Sequence, residues 1–283
     1  MGTELLEALR AADPLAPPVL EAFDRIVAQS DGLPDFYEHS MRVGGGESPY
    51  RFTYYFDVHR RGAAVAREAG ARFVRLGAEL GLAVPSSLRE FVQSAAPAGD
   101  EVLQVVLGIE APRDGSDPRG KYYLVFRGNP ERCVRDLLGA LGLEPAVGTR
   151  PEKVYIVGVD VTAGGVDDVK LYFRLESRQV PNLIENIRDV ADLLAASRDI
   201  VFQQCIRRPE RRQMYLHARS TALLSEWLAW RGFEGALDRA RSINAHLHGS
   251  RIEPWILSLA YDRRRLVVRA GTVYFHLARA VGG

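Results

Sequence analysis

Four segments of the chain share one alternating pattern, and this pattern strongly limits how the chain can fold. Successive side chains of a β-strand point to opposite faces. In one segment Lys170, Tyr172 and Arg174 therefore share a face, and the opposite face is entirely apolar. Three more segments repeat the pattern, at 121–127, 213–219 and 272–277. The polar faces carry cations, phenols and imidazoles and are short of carboxylates, so we expect these strands to surround a polar space that receives an anion.

The composition excludes several classes of protein. The chain has 283 residues, is 47% hydrophobic and has a net charge of +1 without a basic or acidic block, so we expect neither a nucleic-acid nor a membrane partner. The two cysteines, Cys133 and Cys205, lack the spacing of a zinc site or of a disulfide framework. The amino-terminal segment lacks the features of a signal peptide, and no apolar segment is long enough to span a bilayer. These features predict a cytoplasmic protein.

The order of predicted elements indicates an internal repeat. A helical segment followed by a β-hairpin occurs five times, with a period of about fifty residues. The predicted hairpins span 36–58, 102–127, 154–175, 199–219 and 254–277. The predicted helices span 5–12, 17–29, 62–80, 88–94, 130–141, 183–196, 221–230 and 234–246.

Ten strands in one sheet favour closure into a barrel. Open twisted sheets rarely exceed about ten strands, and closure removes the exposed edges. The apolar strand faces then point outward against a ring of helices, and the polar faces line a lumen. The prediction is an α+β fold, a ten-stranded antiparallel β-barrel ringed by α-helices and built from five αββ(α) repeats. It forms one domain over 1–283, expected to be a monomer.

Several short motifs occur in an order that is characteristic of one family. They are Asp13-Pro14-Leu15, Glu38-His39-Ser40, Tyr50-Arg51-Phe52-Thr53-Tyr54-Tyr55-Phe56, Leu80-Gly81-Leu82, Gly108-Ile109-Glu110, Gly158-Val159-Asp160-Val161, Lys170-Leu171-Tyr172 and Met214-Tyr215-Leu216-His217. Together they resemble the ABBA prenyltransferases, and most closely the peptide prenyltransferases of the cyanobactin pathways. The chain departs from the family at Glu110, where these enzymes usually carry an aspartate.

The resemblance implies transfer of an isoprenyl group from its diphosphate to a nucleophile. Ionisation of the donor leaves an allyl cation and a diphosphate anion, so fixed cations must hold the anion while aromatic rings shield the cation. The implied diphosphate-binding residues are Arg51, Lys121, Tyr123, Lys170, Tyr172, Tyr215 and Tyr274, followed by Arg174, His217 and His276. The resemblance also implies that Glu38 is the general base that accepts the proton of the acceptor.

Two further expectations concern the donor. Phe202 lies where the family sets the size of its isoprenoid pocket, and a bulky residue there favours dimethylallyl diphosphate over geranyl diphosphate. Relatives that act on peptides commonly need Mg²⁺ with the diphosphate. Because the chain has no Asp-rich DDxxD motif, we expect the ligand rather than protein side chains to hold such an ion.

Three functions remain open at this stage. The first is a prenyltransferase that modifies a ribosomally made, cyclic peptide, which we favour because the sequence ends six residues after Leu277 and leaves no segment to close the barrel. The second is a prenyltransferase for small indoles or phenols, and the third is a non-catalytic ligand-binding barrel. Simpler interpretations also exist for single residues, such as an ordinary ion pair of Glu38 with Arg42 or Arg51.

Overall fold

Ten antiparallel strands close into a barrel in which each strand pairs with its sequence neighbours and β1 pairs with β10. The computed structural model describes residues 2–14, 16–28, 36–43, 49–144, 149–175, 191–210, 212–261 and 268–279. The strands are β1 (Phe36–Val43), β2 (Tyr50–Asp57), β3 (Val102–Ala111), β4 (Arg119–Phe126), β5 (Ile156–Thr162), β6 (Gly165–Arg174), β7 (Ser197–Cys205), β8 (Arg212–Ala218), β9 (Ser250–Tyr261) and β10 (Val268–Arg279). The predicted fold class is confirmed.

Helices surround the outside of the barrel. They are α1 (Gly2–Ala12), α2 (Val19–Ala28), α3 (Val58–Arg61), α4 (Ala63–Glu79), α5 (Ser86–Gln93), α6 (Glu131–Ala140), α7 (Ala191–Ala195), α8 (Thr221–Trp230) and α9 (Glu234–Asn244), with short 3₁₀ turns at Ala96–Ala98 and Pro151–Lys153. No helix of the described ranges is both long and apolar enough to cross a membrane.

The hydrophobic core lies between the barrel and the helices, as the alternation predicts. On β2, the odd-numbered Arg51, Thr53 and Tyr55 line the central cavity. The side chains between them, Phe52 and Tyr54, are buried in the core outside the barrel. The barrel thus presents its apolar face to the helices and its polar face to the interior.

The two ends of the barrel differ in their connections. At one end lie the turns within the hairpins, such as 112–118 and 163–164, and we call this the hairpin end. At the other end, the helix end, the chain leaves β2, β4 and β8 for helices. The hairpin end therefore holds the starts of the even-numbered strands and the ends of the odd-numbered strands.

Some element boundaries differ from the prediction. Strand β9 begins at Ser250 instead of 254, because the Asn244 side chain pairs with the backbone N–H and C=O of Ile252 and anchors the start of the strand. Helix α3 was not predicted, and the carboxylate of Asp57 caps it by accepting the N–H of Arg60. Of the predicted helix 183–196, residues 183–190 lie outside the described residues.

One motif of the family resemblance has a structural role here. The Asp13 carboxylate accepts hydrogen bonds from the Tyr50 hydroxyl at 2.5 Å, Arg113 at 2.8 Å and Arg239 at 3.0 Å. These groups come from β2, the β3–β4 turn and α9. Asp13 therefore ties the amino-terminal helices to the outside of the barrel.

Candidate active site

The barrel encloses a cavity of about 280 Å³ whose hairpin end is lined by ion pairs. Lys121 and Lys170 both point at Asp160, with Nζ to Oδ2 distances of 3.1 Å and 2.5 Å. Glu110 lies 3.2 Å from the Lys121 ammonium and 2.9 Å from Nε of Arg51. The arrangement of these groups follows from the strand register. Glu110 is the register partner of Arg51 on the neighbouring strand, and Asp160 is that of Lys121.

Cations outnumber carboxylates in this cavity. The lining cations are Arg42, Arg51, Arg119, Lys121, Lys170 and Arg208, and the lining carboxylates besides Glu38 are Glu110, Asp160 and Asp168. Asp167, next to Asp168, also pairs with Arg119 at 3.0 Å and with Arg208 at 2.6 Å. The lining cations still outnumber these four carboxylates, and the remaining positive charge can attract an anionic diphosphate. The structure thus corrects the view that the polar faces are short of acid, since three strands each contribute a carboxylate.

The buried carboxylates stay ionised. Burial alone would raise the pKa of Asp160, but Lys121 and Lys170 hold that pKa well below its usual range. Burial opposes ionisation of Glu110 as well, and Lys121 and Arg51 keep its pKa low. The hairpin end is therefore a network of fixed charges rather than of neutral hydrogen-bonding groups.

Four tyrosines form a belt across the cavity. Tyr123, Tyr172, Tyr215 and Tyr274 come from β4, β6, β8 and β10, and the ring centroids of successive members lie 6.2, 5.5 and 5.8 Å apart. Inward side chains from alternate strands commonly form such layers in barrels. Burial raises the pKa of all four hydroxyls, so they remain protonated and can donate hydrogen bonds. The belt offers π faces to a cation and hydroxyl donors to an anion.

Gly158 makes room for one ring of this belt, which leads to a testable prediction. A Cβ added at Gly158 would lie 2.1 Å from the Tyr123 ring, so Gly158→Ala must displace the ring. We expect overpacking to lower the unfolding free energy by about 1–3 kcal/mol. Because a shift of about 1 Å in a site can cost about 100-fold in rate, we expect turnover to fall at least about tenfold. Thermal unfolding and steady-state kinetics measure the two effects.

The matched control for Gly158 is Gly139 on α6. A Cβ there has nothing within 4 Å and lies on the exposed side of the helix. Gly139→Ala should leave turnover unchanged. Wild-type turnover and stability in Gly158→Ala would show that the Tyr123 ring is not held in place by this glycine.

A carboxyl group lies at the helix end of the cavity. Oε2 of Glu38 accepts hydrogen bonds from the Tyr55 hydroxyl at 3.2 Å and from the indole Nε1 of Trp255 at 3.1 Å. Trp255 is the extra residue of a β-bulge, since Ile256 pairs with Tyr274 and Pro254 with Phe275. Within the described ranges Glu38 has hydrogen bonds but no ion-pair partner, and Arg51 pairs with Glu110 instead, so the structure does not support the simpler interpretation of an ordinary ion pair of Glu38.

Burial makes Glu38 a weak acid. The loss of solvation raises its pKa from the ordinary 4.5 to about 8, against the opposing hydrogen bonds of Tyr55 and Trp255. A base with a pKa near the working pH is well suited to proton transfer. The two hydrogen bonds hold Oε2, which leaves Oε1 to accept a proton.

The raised pKa of Glu38 predicts how activity and stability depend on pH. The folded chain keeps Glu38 protonated between pH 4.5 and about 8, whereas the unfolded chain does not. The contribution of Glu38 to the free energy of unfolding is therefore fully present below pH 4.5 and is lost as the pH rises through about 8. If Glu38 acts as the base, activity should instead rise with pH and level off above about 8. Initial rates and thermal midpoints from pH 6 to 9.5, compared with Glu38→Gln, test both trends; a flat pH–rate profile would contradict the assigned role.

The structure brings most predicted site residues together around one cavity. Glu38 and the diphosphate candidates Arg51, Lys121, Tyr123, Lys170, Tyr172, Tyr215 and Tyr274 all line it. The other three candidates lie at the helix end, away from the lysines, although His217 also lines the cavity. Arg174 pairs with Asp199 and stacks 3.8 Å above the ring of Tyr155.

The two histidines are also poor anion ligands. Burial lowers the pKa of His217 to about 4, so this side chain is neutral at pH 7. His276 stacks on Trp255 and pairs with Glu253 at 3.5 Å. The structure therefore does not place Arg174, His217 and His276 within the charged cluster, and their predicted membership of the diphosphate group gains no support from it.

Phe202 does not line the cavity, so its predicted role is wrong. It pairs with Phe173 and Met214 on neighbouring strands and packs against the hydrophobic core outside the barrel. Its neighbours Val201 and Gln203 face inward instead. The predicted strand was right, but its register differed by one residue, which places the side chain on the other face.

Several residues of the site are absent from the predicted set. Asp160, Glu110, Arg119 and Gln203 line the cavity, and Trp255 binds Glu38. A signal existed for the first two, because both occur in quoted motifs and alternate with apolar residues. Nothing in the local pattern indicates Trp255, since its orientation depends on a bulge.

A protein-bound metal ion does not fit the described residues. They contain no group of three or more histidine, cysteine or acidic side chains that could hold an ion. The carboxylates nearest the cavity lysines are already engaged in ion pairs. The expected role of Mg²⁺ with the diphosphate therefore stays a prediction and gains no ligand from this site.

Comparisons with known proteins show similarity at the level of structure. No protein-family model and no curated sequence matches the chain. The structure of 5-dimethylallyl tryptophan synthase from Streptomyces coelicolor in complex with DMASPP and Trp is similar, with a TM-score of 0.60 and 16% identity over 98% of this chain and 93% of that one. NotF prenyltransferase is similar at a TM-score of 0.51 and 12% identity, over 88% of this chain and 81% of that one. The chain therefore has the ABBA prenyltransferase fold, a closed ten-stranded antiparallel barrel with surrounding helices.

Proposed function

We propose that this chain is a prenyltransferase that moves an isoprenyl group from its diphosphate to an acceptor bound at the helix end of the barrel. One observation carries the proposal: cations in excess of carboxylates lie on one side of a tyrosine belt, and a buried carboxyl group lies on the other, where the described residues supply it with hydrogen bonds but no ion partner. A cavity for a neutral ligand would need neither feature. The fold neighbours, which are named as prenyl-transferring enzymes, support the same reaction class.

The proposed reaction uses the two ends of the cavity in different ways. Lys121, Lys170 and Arg51 hold the diphosphate while the C–O bond to the allylic carbon breaks and both bonding electrons leave with the oxygen. Fixed charges stabilise this anion without reorganisation. The tyrosine belt shields the allyl cation from water. The acceptor atom forms a bond to the carbon, and the proton that it loses passes to Glu38.

We propose dimethylallyl diphosphate as the preferred donor and geranyl diphosphate as the alternative. Phe202 no longer supports this choice, because it lies outside the cavity. The support comes from the bulk of the inward side chains Tyr172, Tyr215 and Ile256, and from the first neighbour, whose structure was solved with DMASPP.

For the acceptor, we propose a side chain of a ribosomally made, cyclic peptide. The rim of the helix end is partly exposed, with 51% of the Arg174 side chain and 33% of the Asp199 side chain accessible. Such a charged rim supports approach of an acceptor larger than the cavity. The second candidate is a free indole or phenol, and the Trp in the first neighbour's structure favours it.

Product analysis separates these possibilities. The protein is incubated with dimethylallyl or geranyl diphosphate, with and without Mg²⁺, and with cyclic peptides, linear peptides, tryptophan or simple phenols. Mass spectrometry should show addition of one isoprenyl group to a peptide, together with release of pyrophosphate. Modification of free tryptophan alone would identify a small-molecule enzyme. No turnover with any pair would contradict the proposed function.

A further inference from the structure

Asp160 makes the closest contacts to both cavity lysines. Its side chain is 1% exposed, and a single oxygen, Oδ2, lies 3.1 Å from Nζ of Lys121 and 2.5 Å from Nζ of Lys170. Oδ1 accepts a hydrogen bond from the Tyr123 hydroxyl at 3.3 Å. Asp160 therefore contacts three groups that we assign to the diphosphate.

Glu110 repeats this arrangement on the neighbouring side. Its Oε2 lies 3.2 Å from Lys121 and 2.9 Å from Nε of Arg51, and its Oε1 lies 3.6 Å from Arg119. Each of these cations thus already has an anionic oxygen at hydrogen-bonding or ion-pair distance. A diphosphate can bind them only by sharing or replacing these partners.

We propose that Asp160 and Glu110 compete with the diphosphate for Lys121, Lys170 and Arg51. After reaction the two carboxylates form their ion pairs with these cations again, and this promotes release of pyrophosphate. The inference rests on the proposed function and adds a role for these two carboxylates of the same site. The carboxylates are positioning residues, because they act through the cations and not on the isoprenyl group.

The physical argument compares two ways of satisfying buried cations. Ammonium groups removed from water need an anion nearby, and an unpaired buried charge is strongly destabilising. In the wild type the carboxylates supply that anion, so pyrophosphate gains only the difference between two sets of ion pairs. When a carboxylate is neutralised, the lysines lose one anionic partner, and pyrophosphate can take its place without having to displace it. Its binding should then be tighter.

Two other roles for Asp160 predict different outcomes. If Asp160 only held the lysines in the geometry that diphosphate needs, its loss would weaken pyrophosphate binding. If it were a metal ligand, its loss would remove an Mg²⁺-dependent part of that binding. Only competition predicts tighter binding with and without the ion.

Calorimetric titration of inorganic pyrophosphate into wild type, Asp160→Asn and Glu110→Gln tests the proposal. We expect each neutralised variant to bind at least about tenfold more tightly than wild type, with and without Mg²⁺. Pyrophosphate should also raise the thermal midpoint of Asp160→Asn more than that of wild type. The control is Asp199→Asn, which removes the same charge beside Arg174 at the helix end and should leave pyrophosphate binding unchanged.

Steady-state kinetics of the same variants provide a second, independent test. The KM for the donor should fall in both variants, and inhibition by pyrophosphate should strengthen by the same factor. Equal or weaker binding in the neutralised variants would overturn the inference while the wild type still binds. If Asp160→Asn does not fold, pyrophosphate binding by Glu110→Gln alone tests the inference. Absence of binding by wild type and by the variants would contradict the proposed function itself, and the inference with it.

Discussion

Glu38→Gln is expected to lower the rate of prenyl transfer by about 100- to 10,000-fold, the range typical of a lost general base. The amide preserves the shape of the side chain and its hydrogen bonds with Tyr55 and Trp255, but it cannot take the proton of the acceptor. Ionisation of the donor at the hairpin end should continue. We therefore expect the KM for the donor to change little while kcat falls, and slow hydrolysis of the donor by water to persist.

The stability of this variant separates a catalytic role from a structural one. Because the wild-type carboxyl group resists ionisation in the folded state, Glu38→Gln should be more stable than wild type above pH 8. Glu90→Gln, on the exposed side of α5, removes a carboxylate without touching the cavity and serves as the control. Activity of Glu38→Gln within about threefold of wild type would exclude Glu38 as the base.

Lys170→Met is expected to reduce the catalytic efficiency for the donor by about 100- to 1,000-fold, the effect typical of losing one preorganised group that stabilises developing charge. Methionine keeps the unbranched stem and its packing but removes the ammonium. Burial would lower the pKa of Lys170, and Asp160 more than compensates, so wild-type Lys170 is charged when the donor arrives. Loss of this charge should slow both transfer and hydrolysis, because both require the same C–O bond to break.

The contrast between the two variants is itself a prediction. Glu38→Gln should separate donor hydrolysis from transfer, whereas Lys170→Met should reduce both together. The chain has only three lysines, and the third, Lys153, lies exposed in a 3₁₀ turn. Lys153→Met is therefore a matched control that should behave like wild type. A Lys170→Met protein that hydrolyses the donor at the wild-type rate would contradict the assignment.

The alternating pattern was sufficient to predict the barrel because alternation determines which face of every strand is buried. Lys121, Tyr123, Lys170 and Tyr172 fall on one face of their strands whatever the exact pairing between strands, and all four line the cavity. Arg174 shows the limit of this argument. It shares a face with Lys170 but lies four residues further towards the helix end, and only the three-dimensional register shows that it lies outside the charged cluster.

Other features could not be predicted because they depend on single-residue shifts or on distant partners. The prediction for Phe202 failed through a one-residue error that exchanges the faces of a strand. The orientation of Trp255 depends on a β-bulge at Tyr274–Phe275, which no local pattern reveals. The acidic residues Glu110 and Asp160 acquire their roles only because the register brings them opposite Arg51 and Lys121.

The central claim is that the cations at the hairpin end bind the diphosphate of an isoprenyl donor. A crystal structure of the protein with a non-hydrolysable thiolodiphosphate analogue of dimethylallyl diphosphate tests this claim most directly. We predict phosphate oxygens within hydrogen-bonding distance of Lys121 and Lys170, and the isoprenyl chain among the four tyrosines. A diphosphate bound beside Arg174 at the helix end, or outside the barrel, would contradict the account.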